Sequence, residues 1–384
     1  MAAHAPGLSM SIITAVKRAL AAPLYVAIAW NAGIAQAQTL TVANFGGANA
    51  AAQQLAFYTP FEATTKGSKV RGVEYTGDLA QVKAMVERGT PQWDVVEVES
   101  TDLAAGCAAG LFVRMDRAAI PHASMLLPGT AKECGLGAFV WSTVLAFDSQ
   151  RFGKDGPKTW ADFWDTQRFP GKRGLRKGVR YNLEIALMAD GVHRRDVYAQ
   201  LASDAGMARA IKKLEQLKPH IVWWESGAQA PQKLLDGTVS MTTAFNGRVA
   251  AANAAGTPGR LSIVWTDAIY EMDYWAIVRG TPQQALALDF LRFTTSEAAQ
   301  LAFSQAIPYG PTHMGAILRY EQNRPRSAEP AGPGGSHNPL IDLSMAPSDL
   351  PSAPANLRKA LGFDAGFWRI HGPALERRWS GSAP

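Results

Sequence analysis

The chain has 384 residues, with 38 Lys and Arg against 32 Asp and Glu and a formal net charge of +6. So small and dispersed an excess of charge argues against a nucleic-acid partner. A hydrophobic fraction of 47% gives enough apolar material for two lobes, each with its own core.

Residues 1–37 read as a secretory signal. Lys17-Arg18 precedes an apolar run over 19–30, and Ala35-Gln36-Ala37 places small residues at the A-x-A positions. The run is short for a membrane span, and no later segment is long and apolar enough for one. Cleavage near Ala37 would leave residues 38–384 in the periplasm. Two cysteines remain, Cys107 and Cys134. In an oxidising compartment they are expected to pair as a disulfide, the alternative being two separately buried thiols.

From residue 39 the chain alternates short strands with amphipathic helices. Residues 40–44 read as a strand ended by Gly46-Gly47, with a helix over 48–57. A second strand at 70–75 ends at Thr76-Gly77. The next helix carries Leu79, Val82, Met85 and Val86 on one face. A third strand at 94–98 leads to a helix over 101–109. This order predicts a mostly parallel sheet covered on both faces. A second unit begins near Arg151, in a basic stretch that includes Lys172, Arg173, Arg176 and Lys177. That stretch is either a solvated face or the rim of a site. Helices are expected at 160–164, at 182–190 and around Met207, Ile211, Leu214 and Leu217. Strands are expected at 239–243, 263–265 and 272–278, with helices over 248–255 and from Thr281-Pro282 to 293. Residues 323–354 are rich in Pro, Gly, Ser and Ala and read as a surface excursion, before a helical tail over 356–379.

Catalytic signatures are missing: there is no G-x-S-x-G, no H-E-x-x-H, no phosphate-cradling Gly-rich loop and no C-x-x-C. The seven histidines are scattered, so no metal and no cofactor is expected, and binding is favoured over turnover. In open α/β sheets, ligands lie beyond the carboxyl ends of the strands. Those ends carry Phe45-Gly46-Gly47, Tyr75-Thr76-Gly77 and Glu97-Val98-Glu99-Ser100. Gly46-Gly47 would let an acceptor approach backbone N–H groups. Glu97 and Glu99 share a parity on one strand, where they could face solvent or meet an ammonium. Tyr270-Glu271-Met272-Asp273-Tyr274-Trp275 mixes carboxylates with aromatics, a combination that suits an alkylammonium group or an aromatic core strand with exposed acids.

Several segments in order resemble the periplasmic solute-binding proteins of ABC transporters, of the spermidine/putrescine-binding type. They are Val42-Ala43-Asn44-Phe45-Gly46-Gly47, Trp93-Asp94-Val95-Val96, Thr159-Trp160-Ala161-Asp162-Phe163-Trp164 and Phe169-Pro170-Gly171-Lys172-Arg173. Phe245-Asn246-Gly247, Met272-Asp273-Tyr274-Trp275-Ala276-Ile277 and Pro308-Tyr309-Gly310-Pro311 complete the set. The resemblance implies an α/β, two-lobed periplasmic binding-protein fold, with parallel-rich sheets, helices on both faces and a hinge between the lobes.

Lobe 1 would hold residues 38–143, and lobe 2 residues 144–272 with a hinge strand near 144–148. Residues 273–322 would form a second hinge strand and the return to lobe 1, followed by the surface segment 323–355 and the tail 356–384. Carried over by position, the ligand would meet Phe45, Gly46, Glu99, Ser100, Thr101, Tyr181, Phe245, Glu271, Asp273 and Tyr309. Asp273 matches the family's amine-binding carboxylate and Tyr309 an aromatic wall. The chain departs from the pattern where polyamine binders carry acids in the second lobe, having Gly178 and Tyr181 there beside Lys177 and Arg180, and at Glu271, where an aromatic is usual. The implied function is a monomeric receptor that closes on a small amine and hands it to an inner-membrane ABC permease. The alternative ligand is a zwitterion or anion resembling 4-aminobutyrate, its carboxylate met by Arg180, Arg248 or the Gly46-Gly47 amides.

Overall fold

The computed structural model describes residues 38–65, 67–116, 120, 121, 123–323 and 348–381. The expected signal and residues 324–347 of the Pro/Gly/Ser-rich segment lie outside the described residues. Among the described residues no helix is long and apolar enough to cross a membrane.

Strands β1 (Thr39–Asn44), β2 (Lys69–Glu74) and β3 (Val95–Val98) form from the β-branched runs that predict them. β1 pairs in parallel with both of the others. Helix α1 (Gly47–Gln53) passes through a π-helical turn, Gln54–Tyr58, into α2 (Thr59–Thr64), well past the end expected at residue 57. α3 (Leu79–Glu87) starts on Asp78, whose side chain accepts from the Ala80 N–H. α4 (Ser100–Ala108) follows β3 at once.

Two long strands organise the rest. β4 (Leu136–Asp148) is 13 residues long and buried at every position, as a strand covered on both faces must be. β8 (Leu261–Ile277) is 17 residues long and runs antiparallel to it. β3 pairs with β8 between Tyr274 and Ile277, while β7 (Met241–Phe245) pairs with the far end of β4. β5 (Arg173–Arg176) lies parallel to β7 and to β6 (Ile221–Trp224). The result is one nine-stranded sheet in the order β2-β1-β3-β8-β4-β7-β5-β6, with β9 (Leu361–Gly362) alongside β8. It is mixed rather than mostly parallel, because every antiparallel pair involves β4 or β8.

Helices α5 (Ser149–Phe152), α6 (Trp160–Trp164), α7 (Asn182–Ala189), α8 (Val197–Leu201), α9 (Asp204–Glu215), α10 (Gln229–Leu235) and α11 (Asn246–Ala255) lie in the chain between β4 and β8. α12 (Gln284–Thr294), α13 (Glu297–Ala306) and α14 (Met314–Asn323) follow β8 and return to the π-helical turn, where Phe303 stacks on Phe57 at 4.8 Å. α6 opens with a reciprocal box in which Thr159 and Asp162 satisfy each other's backbone N–H groups.

The tail is not one helix: α15 (Pro354–Leu357) and β9 precede α16 (Ala365–Gly381). β9 pairs with Ile269 and Tyr270, and the Trp368 indole donates to Glu184 at 2.6 Å, anchoring α16 to α7. Cys107 and Cys134 form a disulfide across a sequence separation of 27 residues, with Cα atoms 5.7 Å apart.

The basic stretch is not a uniform solvated face. Lys172 and Lys177 are exposed, but Arg173 is fully buried at the start of β5. No carboxylate pairs with it. Its guanidinium instead donates to the carbonyls of Phe163, Asp165, Phe169 and Gly171 and to the Ser240 hydroxyl, at 2.6–3.1 Å. Burial pushes its pKa down to about 10, so it stays charged at neutral pH. Arg173→Met would leave those acceptors buried and unpaired and is expected to cost at least about 3 kcal/mol in urea unfolding. A loss below about 1 kcal/mol would show that the loop over 163–171 holds its shape without the guanidinium.

Candidate ligand-binding site

Side-chain alternation along β8 sets Glu271, Asp273 and Trp275 on one face of the central sheet. Glu271 accepts from the Ser100 N–H at 3.0 Å and from the hydroxyls of Ser100 and Tyr181. Tyr181 precedes α7 with φ of 67°, a left-handed conformation that is costly for an aromatic residue. That turn buries the ring between Trp141 and Phe363 and brings the hydroxyl to 3.3 Å from Glu99. Asp273 accepts from the Trp141 indole at 2.7 Å. Glu97, fully buried on β3, accepts from Asn49 at 2.9 Å and from Gln53 at 2.6 Å, side chains one turn apart on α1.

The second lobe faces these acids with cations. Arg176 Nη1 lies 2.8 Å from Glu99 Oε1, and Arg180 Nη1 donates to Glu99 Oε2 at 3.0 Å. Arg176 also rests on the rings of Tyr181 and Phe245, 5.5 Å from each centroid. Phe245 in turn packs edge-on against Trp141 at 4.8 Å. Arg248 reaches from α11 to the end of β1, where Nη2 donates to the Phe45 carbonyl at 3.1 Å. Tyr309 stacks on Phe139 at 4.9 Å, and Phe45 stacks on Tyr75 at 5.3 Å.

These charges shift one another. Burial alone would raise Glu99, yet the Arg176 and Arg180 charges hold its pKa below the ordinary carboxylate range. Burial, reinforced by the charge on Glu99, pushes Glu271 up to about 7 and Asp102 up to about 6. Asp273 is driven well above its usual value, first by burial and then by Glu97.

The structure therefore gathers Glu99, Ser100, Tyr181, Glu271, Asp273, Phe245 and Arg180 into one cluster, with Phe45, Tyr309 and Arg248 beside it. Thr101 is buried next to them, and its hydroxyl has no hydrogen-bond partner. The Gly46 amide does not fit its expected part as an acceptor site. Its N–H is taken by the Asn44 side chain at 2.8 Å, and the Glu74 carboxylate lies against its Cα, where a Cβ would fall within 2.1–2.5 Å. Arg176, Trp141, Asn49 and Gln53 were not among the expected site residues. The spacing of Asn49 and Gln53 on one helical face is the signal that could have found that pair.

A model of the family described as bacterial extracellular solute-binding protein matches residues 56–322. A γ-aminobutyric acid-binding protein of Pseudomonas aeruginosa is 48% identical over 346 residues, covering 90% of this chain and 91% of the relative. The chain belongs to the bacterial extracellular solute-binding protein family. An ABC transporter substrate-binding protein from Bradyrhizobium japonicum superposes with a TM-score of 0.76 at 32% identity, over 90% of this chain and all of its own length. The Atu4243–GABA receptor does so with a TM-score of 0.72 at 27% identity, over 89% and 97%. The buried polar cluster lies where β3, the start of α4 and the turn before α7 meet β8. Among the described residues no group of three His, Cys, Asp or Glu is arranged to hold a metal ion.

Two outcomes follow from this solute-binding architecture. Gly47 has φ of 55°, and a Cβ there would fall 2.7 Å from Arg248 Nη1. Gly47→Ala is expected to displace the guanidinium from the Phe45 carbonyl and to cost at least about 1 kcal/mol in urea unfolding. Unchanged stability would remove Arg248 as an interlobe tie. For Glu271, a folded-state pKa of about 7 against an ordinary carboxyl means that the folded chain holds a proton the unfolded chain releases. Its contribution is fully present below about pH 4 and is lost as pH rises to about 7, worth up to about 3 kcal/mol. In ligand-free urea titrations from pH 5 to 8, Glu271→Gln should fall less steeply than wild type; parallel curves would refute the shift.

Proposed function

We propose that this chain is the periplasmic receptor of an ABC importer and that it captures a short ω-amino acid of the γ-aminobutyrate class by closing its two lobes. In this reading export uses the signal ending near Ala37, and the closed receptor hands the solute to an inner-membrane permease. No chemistry is performed on the ligand.

The observation that carries the reading is the meeting of unlike charges across the cleft. Arg176 and Arg180 of the second lobe converge on Glu99, immediately beside Glu271 and Asp273. Each guanidinium has five N–H donors, and Glu99 engages one nitrogen of each, so donors remain for a ligand carboxylate. The carboxylates at Asp273 and Glu271 would take the ammonium, with Tyr309 and Phe245 flanking the methylenes. A plain diamine would drive its second ammonium against two guanidinium groups. The expectation of a putrescine- or spermidine-like ligand therefore gives way to its zwitterionic alternative. The P. aeruginosa relative and the Atu4243–GABA receptor, both named for γ-aminobutyrate, support the same shift.

Ligand-dependent melting decides between them. γ-Aminobutyrate at 100 times its dissociation constant should add about 2.7 kcal/mol of stability, with putrescine at equal concentration adding little. Arg180→Ala should weaken γ-aminobutyrate binding by about 2–5 kcal/mol in titration calorimetry. Stabilisation by putrescine, with binding indifferent to Arg180, would restore the diamine.

A further inference from the structure

We propose that Glu97 and Asp273 hold a single proton between their carboxyl groups, and that the ammonium of the arriving ligand displaces it, so that capture releases about one proton. The inference rests on the ammonium end of the ligand reaching Asp273, as in the reading above.

The argument begins with strand register. In the antiparallel β3–β8 pair Glu97 lies opposite Trp275, and Asp273 is two residues along on the same face. That makes the two acids diagonal neighbours, within reach of each other's side chains. Two ionised carboxylates only accept, so neighbours sealed in the interior cannot bond each other unless one of them carries a proton.

The surroundings supply no substitute for it. Glu97 is fully buried and Asp273 is 4% exposed. The donors aimed at the pair are neutral: Asn49 and Gln53 from α1 and the Trp141 indole from β4. The Tyr75 hydroxyl goes to the Glu97 carbonyl, not to its carboxylate, and the Tyr58 hydroxyl goes to Gln53. Glu99 on the same chain segment and Glu271 on β8 add like charge to Asp273. Arg248 on α11 acts on Glu97, but its Nη2 is committed to the Phe45 carbonyl. Tyr309 is pushed up to about 12 by burial and stays neutral. Burial pushes both acids of the pair upward, and the charge on Glu97 adds to the rise at Asp273, in keeping with one shared proton.

A primary ammonium brings one positive charge and three N–H donors. Placed at Asp273 it supplies what the shared proton supplied, and the proton leaves to solvent. The pair goes from one negative charge to two, and the ligand adds one positive, so the charge of the site is restored. Glu97, which need not touch the ligand, becomes a positioning residue whose role shows as a proton count.

Titration calorimetry with γ-aminobutyrate at pH 7 in phosphate and in Tris, buffers of different ionisation enthalpy, reads that count directly. Wild type should release about one proton per ligand bound, and its dissociation constant should fall up to tenfold per unit rise in pH. Glu97→Gln should still give a binding heat, with about one proton fewer released than in wild type, because an amide can donate to an ionised Asp273 with no proton to shed. Should that variant not fold, the pH dependence of wild-type affinity carries the test alone. Binding of γ-aminobutyrate with equal heats in both buffers and a flat pH profile would overturn the shared proton while leaving the ω-amino acid reading intact. No binding of γ-aminobutyrate at all would remove that reading, and the inference with it.

Discussion

Four carboxylates, Glu97, Glu99, Glu271 and Asp273, are buried within one patch where β3 and α4 meet β8. A buried charge without an answering partner costs several kcal/mol, so the rest of the site is arranged to answer these. The answers differ by position. Glu99 receives two guanidinium groups from the opposite lobe, Glu271 receives a helix-start N–H and two hydroxyls, and Glu97 and Asp273 receive neutral donors. Among the described residues only the first of these is an ion pair, and it ties the end of β3 to the segment between β5 and α7.

The two long strands make that geometry possible. β4 and β8 pair with each other along most of their length, and the middle of β8 lies between β3 at one end and the β4 residues that pair with β7 at the other. Register shifts between Gly137 and Phe139 and between Thr143 and Leu145 bend this pair on either side of Trp141. The segment between the shifts holds Trp141 against Asp273, Tyr181 and Phe245 at once. A single aromatic thus sets the distance between an acid of the hinge strand and the two second-lobe residues nearest the guanidinium groups.

Much of the first lobe was legible, because β1, β2 and β3 have short apolar runs closed by Gly or by a helix cap. β8 was legible only as two strands. Its middle carries Asp267 in a left-handed conformation beside Thr266, and nothing in an alternating pattern distinguishes a kink within one strand from a gap between two. Glu99 could be singled out because strand parity and strand ends in an α/β sheet are local properties, and Glu271 and Asp273 because carboxylates stand among aromatics in one run; Tyr181 came only from the family resemblance. Arg173 and Arg176 could not be told apart by the same reasoning. They sit three residues apart in one basic run, yet one is sealed among carbonyls and the other faces Glu99. What separates them is the loop over 163–171 folding back on β5, a contact that no composition or period encodes. The tail was hard for a related reason: β9 exists only because the edge of β8 is open beside Ile269 and Tyr270.

Four arginines bear on specificity as well as on fold. Arg173 is saturated by acceptors, so it can do nothing for a ligand. Arg248 is committed to the Phe45 carbonyl. Arg176 and Arg180 remain, each pinned at one nitrogen by Glu99, with Arg176 held by aromatic faces as well. A fork held at one edge loses little rotamer freedom when it takes a second carboxylate, and its planar N–H pairs favour a carboxylate over a hydroxyl or a water. The same pinning makes the pair a poor neighbour for any second cation, because neither guanidinium can swing away without uncovering Glu99. Attraction for one end of a zwitterion and exclusion of a diamine then have a single origin, the buried acid that holds both arginines in place.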